Sequence, residues 1–243
     1  MFFDFFSKPR PQQKLPFATD MHCHIVPGVD DGSPDVETSL QLLESMNEWG
    51  LKRIFASPHS TQDNFENTPQ TLAEPFAALK QGAGAMPVEL DFHLEYRIDE
   101  FFIDQLEAAN VRPIPGNYLL IENGFSHEPW GIDNLVCDLM NRGFNPVLAH
   151  PERYHYYSRK NARRLKELHD LGLYFQINLL SLAGHYGKFE RRAALSLLES
   201  NMVQFVGTDL HRASHVESIN SYLCSRNFEK DIKLIGHLHN DAL

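Results

Sequence analysis

The hydrophobic pattern of the chain alternates between short β-rich runs and longer segments with helical spacing. Seven runs are rich in β-branched and aromatic residues and predict strands; they cover residues 17–22, 53–58, 89–95, 118–123, 145–150, 173–178 and 203–209. The near-continuous apolar character of LYFQI and VQFVG indicates strands that are covered on both faces. The pattern therefore favours βα units arranged around a parallel sheet.

The segments between these runs predict the helices. The first has apolar residues three or four positions apart, at Val36, Leu40, Leu43 and Met46. The tripeptide Ser33-Pro34-Asp35 in front of it predicts an N-cap followed by proline in the first turn. Further helices are predicted over 69–84, 99–109, 131–142, 160–171 and 189–200, and the helical pattern is weaker after Ser214.

Seven βα units indicate a closed or nearly closed barrel. The open alternative, a doubly wound sheet, usually carries a glycine-rich phosphate turn after its first strand, and no GxGxxG motif follows the first run here. At 243 residues with 42% hydrophobic residues, the chain fits one domain of barrel size. We predict a single domain over 17–243 and a flexible tail over 1–16, whose aromatic run is too short for a membrane span.

Charge and cysteine content narrow the class of protein. A net charge of -10 argues against nucleic acid or an anionic membrane surface as the main partner, since both favour clustered Lys and Arg. Cys23, Cys137 and Cys224 are too few and too scattered for a disulfide framework, and none belongs to a CxxC pair. This cysteine usage suits a reducing cytoplasm.

Histidine and acidic residues follow six of the seven predicted strands. In a parallel α/β barrel the carboxyl ends of all strands open on one face, so residues at these positions meet in space. Together with Asp31 from the DDG turn, the predicted cluster comprises His22, His24, Asp31, His59, Glu95, Glu122, His150, Asp209 and His211. The sixth strand ends in Asn178 instead.

The chemistry of this set predicts a site for several divalent cations. Imidazole and carboxylate donors without thiolates suit Mn, Fe, Zn or Mg. Nine donors are too many for one ion, and two or three ions that share bridging carboxylates would use them all; Glu95 is the bridging candidate. His22 and His24 point to the same side of an extended strand. A single histidine such as His59 would more usually be structural, so the convergence of the set carries the prediction.

Neighbouring residues receive supporting roles. Asp30 is either a ligand in place of Asp31 or a cap of the turn. Asp20 is expected to orient a ligand from behind, whereas His93 either does so or is an ordinary core histidine. Cys23 faces away from the cluster, into the core. No GxSxG elbow and no cysteine in an anion-binding loop is present in the sequence, which argues against serine and cysteine nucleophiles.

Two arginines lie close to the predicted cluster in the sequence. Arg153 of HPER follows His150 by three residues, and Arg212 follows His211 directly. A guanidinium stays charged and binds phosphate through two hydrogen bonds, so beside several cations it favours a phosphate ester over an amide. We expect Arg153 to contact substrate; Arg212 either does so or forms a salt bridge at a helix start.

The motifs DMHCH, DDG, SPH, LEYRID, LIEN, AHPERY and GTDLH, in this order, resemble those of the polymerase-and-histidinol-phosphatase (PHP) family. Within it, the chain is most similar to the bacterial tyrosine-protein phosphatases of capsule and exopolysaccharide loci, the CpsB/YwqE type. The resemblance runs from about residue 17 to 215. It implies an α/β fold, a distorted TIM-like (β/α)7 barrel, and three divalent metal ions, often manganese.

Carried over by position, the resemblance implies three groups of ligands. One ion would be held by His22, His24, Glu95 and Asp209, a second by Glu95, Glu122 and His150, and a third by Asp31, His59 and His211. Arg153 matches the family's phosphate-binding arginine. The family's second arginine would stand near Val216 in this chain, which leaves Arg212 as a substitute displaced in register.

The implied activity is hydrolysis of phosphotyrosine by a metal-activated water, without a covalent intermediate. The implied partner is the phosphorylated, tyrosine-rich tail of a membrane-attached bacterial kinase that controls polysaccharide export. Such a protein would be cytoplasmic and would reach the inner membrane through that kinase; the oligomeric state is not predicted.

Three other functions stay open at this point. Another PHP phosphoesterase, such as a histidinol-phosphate phosphatase, would share every ligand. An amidohydrolase barrel also begins with HxH, but it usually bridges its metals with a lysine where this chain has Glu122. A non-catalytic, metal-stabilised module that binds the kinase tail would be expected to have a smaller and closed site.

Overall fold

The computed structural model describes residues 13–157, 162–235 and 238–243. Strands and helices alternate along it as the hydrophobic pattern predicts. The strands are β1 (Thr19–Asp20), β2 (Arg53–Ala56), β3 (His59–Ser60), β4 (Glu89–Phe92), β5 (Glu95–Arg97), β6 (Tyr118–Glu122), β7 (Asn145–Ala149), β8 (Tyr174–Asn178) and β9 (Phe205–Gly207). Every pairing between these strands is parallel.

Two of the predicted strands are interrupted. The run 53–58 was predicted as one strand but gives β2 and continues in β3, and the run 89–95 is divided between β4 and β5. One sheet has the order β1-β2-β4, and the other has the order β3-β5-β6-β7-β8-β9. Pro58 lies in the first interruption, where its missing N–H cannot continue a hydrogen-bond ladder. Its carbonyl still accepts from the backbone N–H of Glu95, so the two sheets remain one wall.

The barrel closes where the segment after β9 pairs with the segment after β1. Cys23 and Leu210 form a parallel bridge, and the backbone N–H of Asp209 donates to the carbonyl of His22 over 2.8 Å. The result is a distorted ring of seven parallel strand lines, in which β2 with β3 and β4 with β5 each count as one. The predicted fold class, a distorted (β/α)7 TIM-like barrel, is confirmed.

Helices cover the outside of the barrel. They are α1 (Val36–Glu48), α2 (Ala73–Ala83), α3 (Glu100–Glu107), α4 (Ile132–Asn141), α5 (Ala162–Leu171), α6 (Leu179–Ala183), α7 (Lys188–Glu199), α8 (Ala213–Leu223) and α9 (Arg226–Ile235). The sequence pattern missed α6, which follows β8 without a break. The second helix begins at Ala73 rather than at residue 69. Within the described ranges, no helix combines the length and the hydropathy that crossing a bilayer requires.

The first helix is capped by a different residue from the one predicted. Asp35 is the N-cap: its backbone is extended, and its side chain accepts a hydrogen bond from the N–H of Thr38 over 2.8 Å. The hydroxyl of Ser33 donates instead to the carbonyl of Asp35. Proline therefore precedes the helix and does not lie in its first turn.

The inside of the barrel is apolar below the carboxyl ends of the strands. A separate core cluster there contains Met21, Phe55, Leu120, Val147 and Phe205, and it also includes the C-terminal Leu243. Because side chains alternate along a strand, Leu120 and Glu122 of β6 point to the same side. The apolar layer thus lies directly beneath the polar residues at the carboxyl ends of the strands.

Both ends of the described chain pack against the barrel. Residues 1–12 of the predicted tail lie outside the described residues. Leu15 is buried, and its N–H donates to the carbonyl of Trp49, so packing begins before the predicted boundary at residue 17. At the other end, the side chain of Asn240 bonds to the backbone of Val206 and of Thr19.

Candidate metal centre

All nine predicted donors gather at the carboxyl ends of the strands. Four groups of them bring a ligand atom from each member within 4.8 Å of the others. The groups are His24, Asp31, His59 and His211; His22, His24 and Asp209; His22, Glu95 and His150; and His59, Glu95 and Glu122. Shared members link the groups into one continuous cluster.

The innermost donors are two histidines and two carboxylates that lie close together. Nε2 of His22 lies 3.2 Å from Nε2 of His24, and both nitrogens lie 3.3–3.5 Å from Oε2 of Glu95 and Oδ1 of Asp209. Four donors placed about 2.1 Å from one ion at the corners of a tetrahedron would be about 3.4 Å apart. Five of the six separations in the set that the resemblance assigns to the first ion are close to this value, whereas Glu95 and Asp209 do not share a group.

Glu95 occupies the centre of the cluster. Its side chain is fully buried, and Oε2 lies 3.0 Å from Nδ1 of His59 while having no hydrogen-bond partner. Oε1 lies 3.0 Å from Nε2 of His150. One carboxylate thus lies within 3.3 Å of three donor histidines and belongs to two of the groups, and this is the geometry expected of a ligand that bridges cations.

The remaining donors form the two outer parts. Oδ1 of Asp31 lies 3.5 Å from Nε2 of His59 and 3.5 Å from Nε2 of His211, which brings together the third predicted set. Glu122 is placed less tightly, because Oε1 lies 3.7 Å from Nε2 of His150. The partition of the donors between ions stays a prediction.

Hydrogen bonds fix how the histidine rings face the centre. Nδ1 of His22 bonds to the amide oxygen of Gln176, Nδ1 of His24 to Asp30, and Nδ1 of His211 to the carbonyl of Asp209, all at 2.8–2.9 Å. Amide, carboxylate and carbonyl oxygens only accept, so each Nδ1 carries the hydrogen. The Nε2 lone pairs are then free to bind a cation.

The sequence left two roles open for Asp30, a ligand in place of Asp31 or a cap of the turn, and its hydrogen bonds distinguish them. Its Oδ2 accepts from His24, and its Oδ1 accepts from the N–H of Gly32, so Asp30 orients a donor and caps the turn, while Asp31 faces the cluster. Asp20 acts on the backbone: it accepts from the N–H of His22 and from the hydroxyl of Thr208. Burial raises the pKa of Asp20 to about 6.

His93 also supports the backbone and does not reach a donor ring. Its Nε2 lies 2.8 Å from the carbonyl oxygen of Met21, while its Nδ1 has no partner. Burial is the main reason that the pKa of His93 falls to about 4. The ring is therefore neutral at neutral pH.

In the cluster, histidines and carboxylates lie so close together that each group shifts the pKa of the other. Burial alone would lower the pKa of His22, but the carboxylates of Glu95 and Asp209 raise it to about 9. Burial likewise opposes ionisation of Glu95, yet the neighbouring histidines hold its pKa well below the usual range. In the absence of cations, protons on imidazoles balance the carboxylates; bound cations would replace those protons.

The backbone has an unusual conformation at two of the donors, each of which directly follows or closely follows a strand. His150 and Asp209 have positive φ values of 36° and 52°, a conformation that costs non-glycine residues free energy and is concentrated at functional sites. Gly207 allows β9 to approach the cluster closely, because a Cβ there would lie 2.5 Å from Cβ of His22. Both features position side chains and have no evident role in the hydrophobic core.

Of the two predicted arginines, Arg153 is the one held inside the cavity. Its Nη1 lies 3.1 Å from Oδ2 of Asp209, and its guanidinium carbon lies 4.9 Å from the ring centre of Phe125 and 4.3 Å from that of Tyr186. Two aromatic rings and one carboxylate thus fix its orientation. Arg212 is half exposed at the rim, with Nη2 3.9 Å from Asp31.

The position of the second family arginine cannot serve a site in this chain. Val216 lies in α8 and is buried in the core. A third arginine, Arg97, was missed by the sequence analysis although it belongs to the LEYRID motif. It lines the cavity, and its Nη1 donates to Oε2 of Glu122 over 2.8 Å. Alternation along β5 places Arg97 on the same side as Glu95, and this signal could have identified it.

Other contributors were also missed. Asn178 ends the one strand for which no functional residue was predicted, and its amide donates to Asp209. Gln176 lies two residues earlier on the same side of β8 and orients His22. Tyr186 donates to Oδ2 of Asp209 over 3.2 Å, and it follows α6 in a segment without any motif that could have indicated it.

Six of the nine donors and the three arginines line an open cavity of about 440 Å³, whereas His22, His24 and Glu95 are fully buried and do not line it. Its wall includes Phe65 and Phe125 beside the polar residues. A larger cavity of about 1110 Å³ lies between α5 and α7, but none of the nine donors lines it. The chemistry of the side chains therefore identifies the smaller cavity as the candidate active site.

Comparisons with known proteins identify the family of the chain. The family model for capsular polysaccharide synthesis proteins CpsB/CapC matches residues 18–232. The tyrosine-protein phosphatase YwqE of Bacillus subtilis is 34% identical over 197 residues, which are 79% of this chain and 76% of that protein. The tyrosine-protein phosphatase CpsB of Streptococcus pneumoniae is 31% identical over 202 residues, covering 79% and 82% of the two chains.

Solved structures give the same picture. A structure from the pair YwqE and CpsB, described as metal-dependent tyrosine phosphatases, has a TM-score of 0.76 at 29% identity and covers 89% of this chain and 93% of its own. The phosphotriesterase homology protein of Escherichia coli shares the fold, with a TM-score of 0.53 at 14% identity. The chain belongs to the CpsB/CapC family of capsular polysaccharide synthesis proteins.

Proposed function

We propose that this protein is a metal-dependent phosphatase that hydrolyses phosphotyrosine in proteins. The single observation that carries the proposal is the buried carboxylate of Glu95, which lies within 3.3 Å of three donor histidines. Other donors of the same cluster line an open cavity together with Arg153. Relatives named tyrosine-protein phosphatases support the choice of phosphotyrosine.

The residues present fit a group of divalent cations. The donors are imidazoles and carboxylates only, and a buried carboxylate oxygen of Glu95 has no hydrogen-bond partner. We propose three ions, with manganese as the preferred metal, held by the nine donors in the three sets that the family resemblance implies. Bound cations would supply positive charge for the phosphate oxygens and would lower the pKa of water.

Arg153 binds the phosphate from the side of the cavity. Its contact with Asp209 and its position between Phe125 and Tyr186 keep the guanidinium in place before substrate arrives. A guanidinium fixed in this way stabilises the charge on the equatorial oxygens of the phosphoryl group without reorganising. The leaving phenolate, with a pKa of about 10, needs less protonation than an alkoxide would.

We propose that the physiological substrate is the tyrosine-phosphorylated tail of a bacterial kinase that controls polysaccharide export. Membership in the capsular polysaccharide synthesis family supports this choice. The protein would then act in the cytoplasm and meet the inner membrane through its kinase.

The test is an assay of metal-stripped protein on phosphotyrosine peptides and on histidinol phosphate, after addition of manganese, iron, zinc or magnesium. We expect hydrolysis of the phosphotyrosine peptides that depends on added metal, and its loss in His22→Ala and Glu95→Gln variants that remain folded by circular dichroism. Turnover of histidinol phosphate with no activity on phosphotyrosine would assign another phosphoesterase function. Full activity in either variant would refute the assignment of the site.

A further inference from the structure

The loop after β6 brings an exposed aromatic ring to the candidate active site. It begins directly after Glu122, one of the nine donors, and its residue Phe125 lines the same cavity as six of those donors. Phe125 is 45% exposed. The other exposed large hydrophobic residues of the described chain are Ile103, Trp130, Met140 and Phe189, and none of them lines this cavity.

The ring of Phe125 is held in a defined position. The start of its loop is anchored by two tyrosines: the hydroxyl of Tyr154 accepts from the N–H of Asn123, and the hydroxyl of Tyr156 donates to the carbonyl of Gly124. The ring itself lies 5.9 Å from the ring of His150, with 14° between their planes. A ring that is already fixed loses little conformational freedom when it binds a ligand.

The position of Arg153 indicates which part of a bound substrate would lie near Phe125. The guanidinium that binds phosphate lies 4.9 Å from the centre of the Phe125 ring. A phosphate monoester held by Arg153 would have its organic group within reach of this ring. Phe65 stands elsewhere on the wall of the same cavity, with its ring 6.1 Å from that of His59 and 15° between their planes.

We propose that Phe125 is a specificity-determining residue that contacts the aromatic ring of the substrate and selects aryl over alkyl phosphate esters. The inference rests on the proposed function and names the side chain that recognises the aromatic part of the substrate. Aromatic pairs gain stabilisation beyond the burial of apolar area, and the side chains of phosphoserine and phosphothreonine offer no ring to make this contact.

Turnover alone would not test this inference, because phenolate leaves more easily than an alkoxide whatever the enzyme contacts. Binding of two non-hydrolysable probes avoids that difference. Benzylphosphonate carries a ring at the distance of a tyrosyl ester, and methylphosphonate carries only the phosphate-like group. Their dissociation constants are measured by calorimetry on manganese-loaded protein, and the metal content of every variant is determined beside them.

The variants are Phe125→Ala, Phe125→Leu and, as the matched control, Trp130→Ala. Trp130 is the second exposed aromatic residue of the same loop and does not line the cavity. Because Phe125 also helps to hold Arg153, we expect Phe125→Ala to weaken the binding of both probes, but to weaken benzylphosphonate binding about tenfold more than methylphosphonate binding, with metal content unchanged. Phe125→Leu, which keeps apolar volume without a ring, should lose part of the preference, and Trp130→Ala should lose none.

Two results would overturn the inference. An equal loss for both phosphonates would assign Phe125 to holding Arg153 and not to contacting the substrate. A wild-type protein that binds the two probes equally, or that binds neither, would show that the cavity does not recognise an aromatic ester. The proposed function fails separately, when metal-loaded wild-type protein hydrolyses no phosphotyrosine peptide.

Discussion

The amide oxygen of Gln176 lies 2.8 Å from Nδ1 of His22 and turns the opposite nitrogen of that ring toward the donor cluster. Gln176→Leu would leave a buried N–H without a partner and release the ring. We expect metal affinity to fall roughly tenfold to a hundredfold, as for other partners of ligating histidines. Metal titration of stripped protein measures this. Gln81→Leu, on the exposed face of α2, is the control, and equal affinities in the two variants would contradict the orienting role.

The two arginines near the end of the cavity should differ in their importance. Arg153→Ala removes a guanidinium that is bracketed by two rings and bonded to Asp209, and we expect the kcat/KM for phosphotyrosine peptides to fall roughly a hundredfold. Arg212 is half exposed, and Arg212→Ala should cost less than about threefold. Steady-state kinetics on both variants decides. The reverse order would mean that Arg212 is the main phosphate ligand.

Gly207 should not tolerate a methyl group. A Cβ at this position would lie 2.5 Å from Cβ of His22 and 2.8 Å from Nε2 of Gln176. We expect Gly207→Ala to lower both the metal content and the melting temperature. Gly124→Ala is a suitable control, since its nearest non-adjacent atom would be 3.7 Å away. A Gly207→Ala protein with wild-type metal content would show that β9 does not need this close approach.

The stability of the metal-free protein should fall as the pH rises above neutrality. The pKa of His22 is raised to about 9 in the folded protein, against about 6.5 in an unfolded chain. A raised pKa contributes stability that is complete below the unfolded value and is lost as the pH rises through the folded value. The loss therefore falls between about pH 6.5 and 9, and it is on the order of 3 kcal/mol.

Bound cations should remove this dependence, because they bind neutral imidazole. Melting temperatures of chelator-treated and manganese-loaded protein, measured from pH 6 to 9.5, test the difference. We expect a falling curve for the first sample and a nearly flat one for the second. A metal-free protein that gains stability over this range would contradict the proposed protonation of His22.

The donor cluster could be predicted from the sequence because barrel geometry alone brings the carboxyl ends of parallel strands together. No contact had to be known to place His22 near His150. The supporting residues were harder to predict. Asp30 and Asp31 carry the same group on adjacent positions, and only the folded turn decides that Asp30 bonds to His24 while Asp31 faces the cluster.

Other features depend on tertiary contacts that leave no periodic pattern. The interruption at Pro58 has a visible cause in the sequence, but the one beside His93 has none. No polar stretch separates the short helix α6 from β8, because residues Leu179–Ala183 continue the apolar run of that strand. The sequence pattern therefore does not show where the strand ends and the helix begins. Tyr186 reaches Asp209 only through the turn that follows this helix.

The most direct test of the shared cation cluster is a titration of metal-stripped protein with manganese, followed at each step by the rate of phosphotyrosine-peptide hydrolysis. The account predicts that activity is absent without metal and that it rises only after more than one equivalent is bound per chain. Full activity at one equivalent, or hydrolysis without any bound metal, would contradict it.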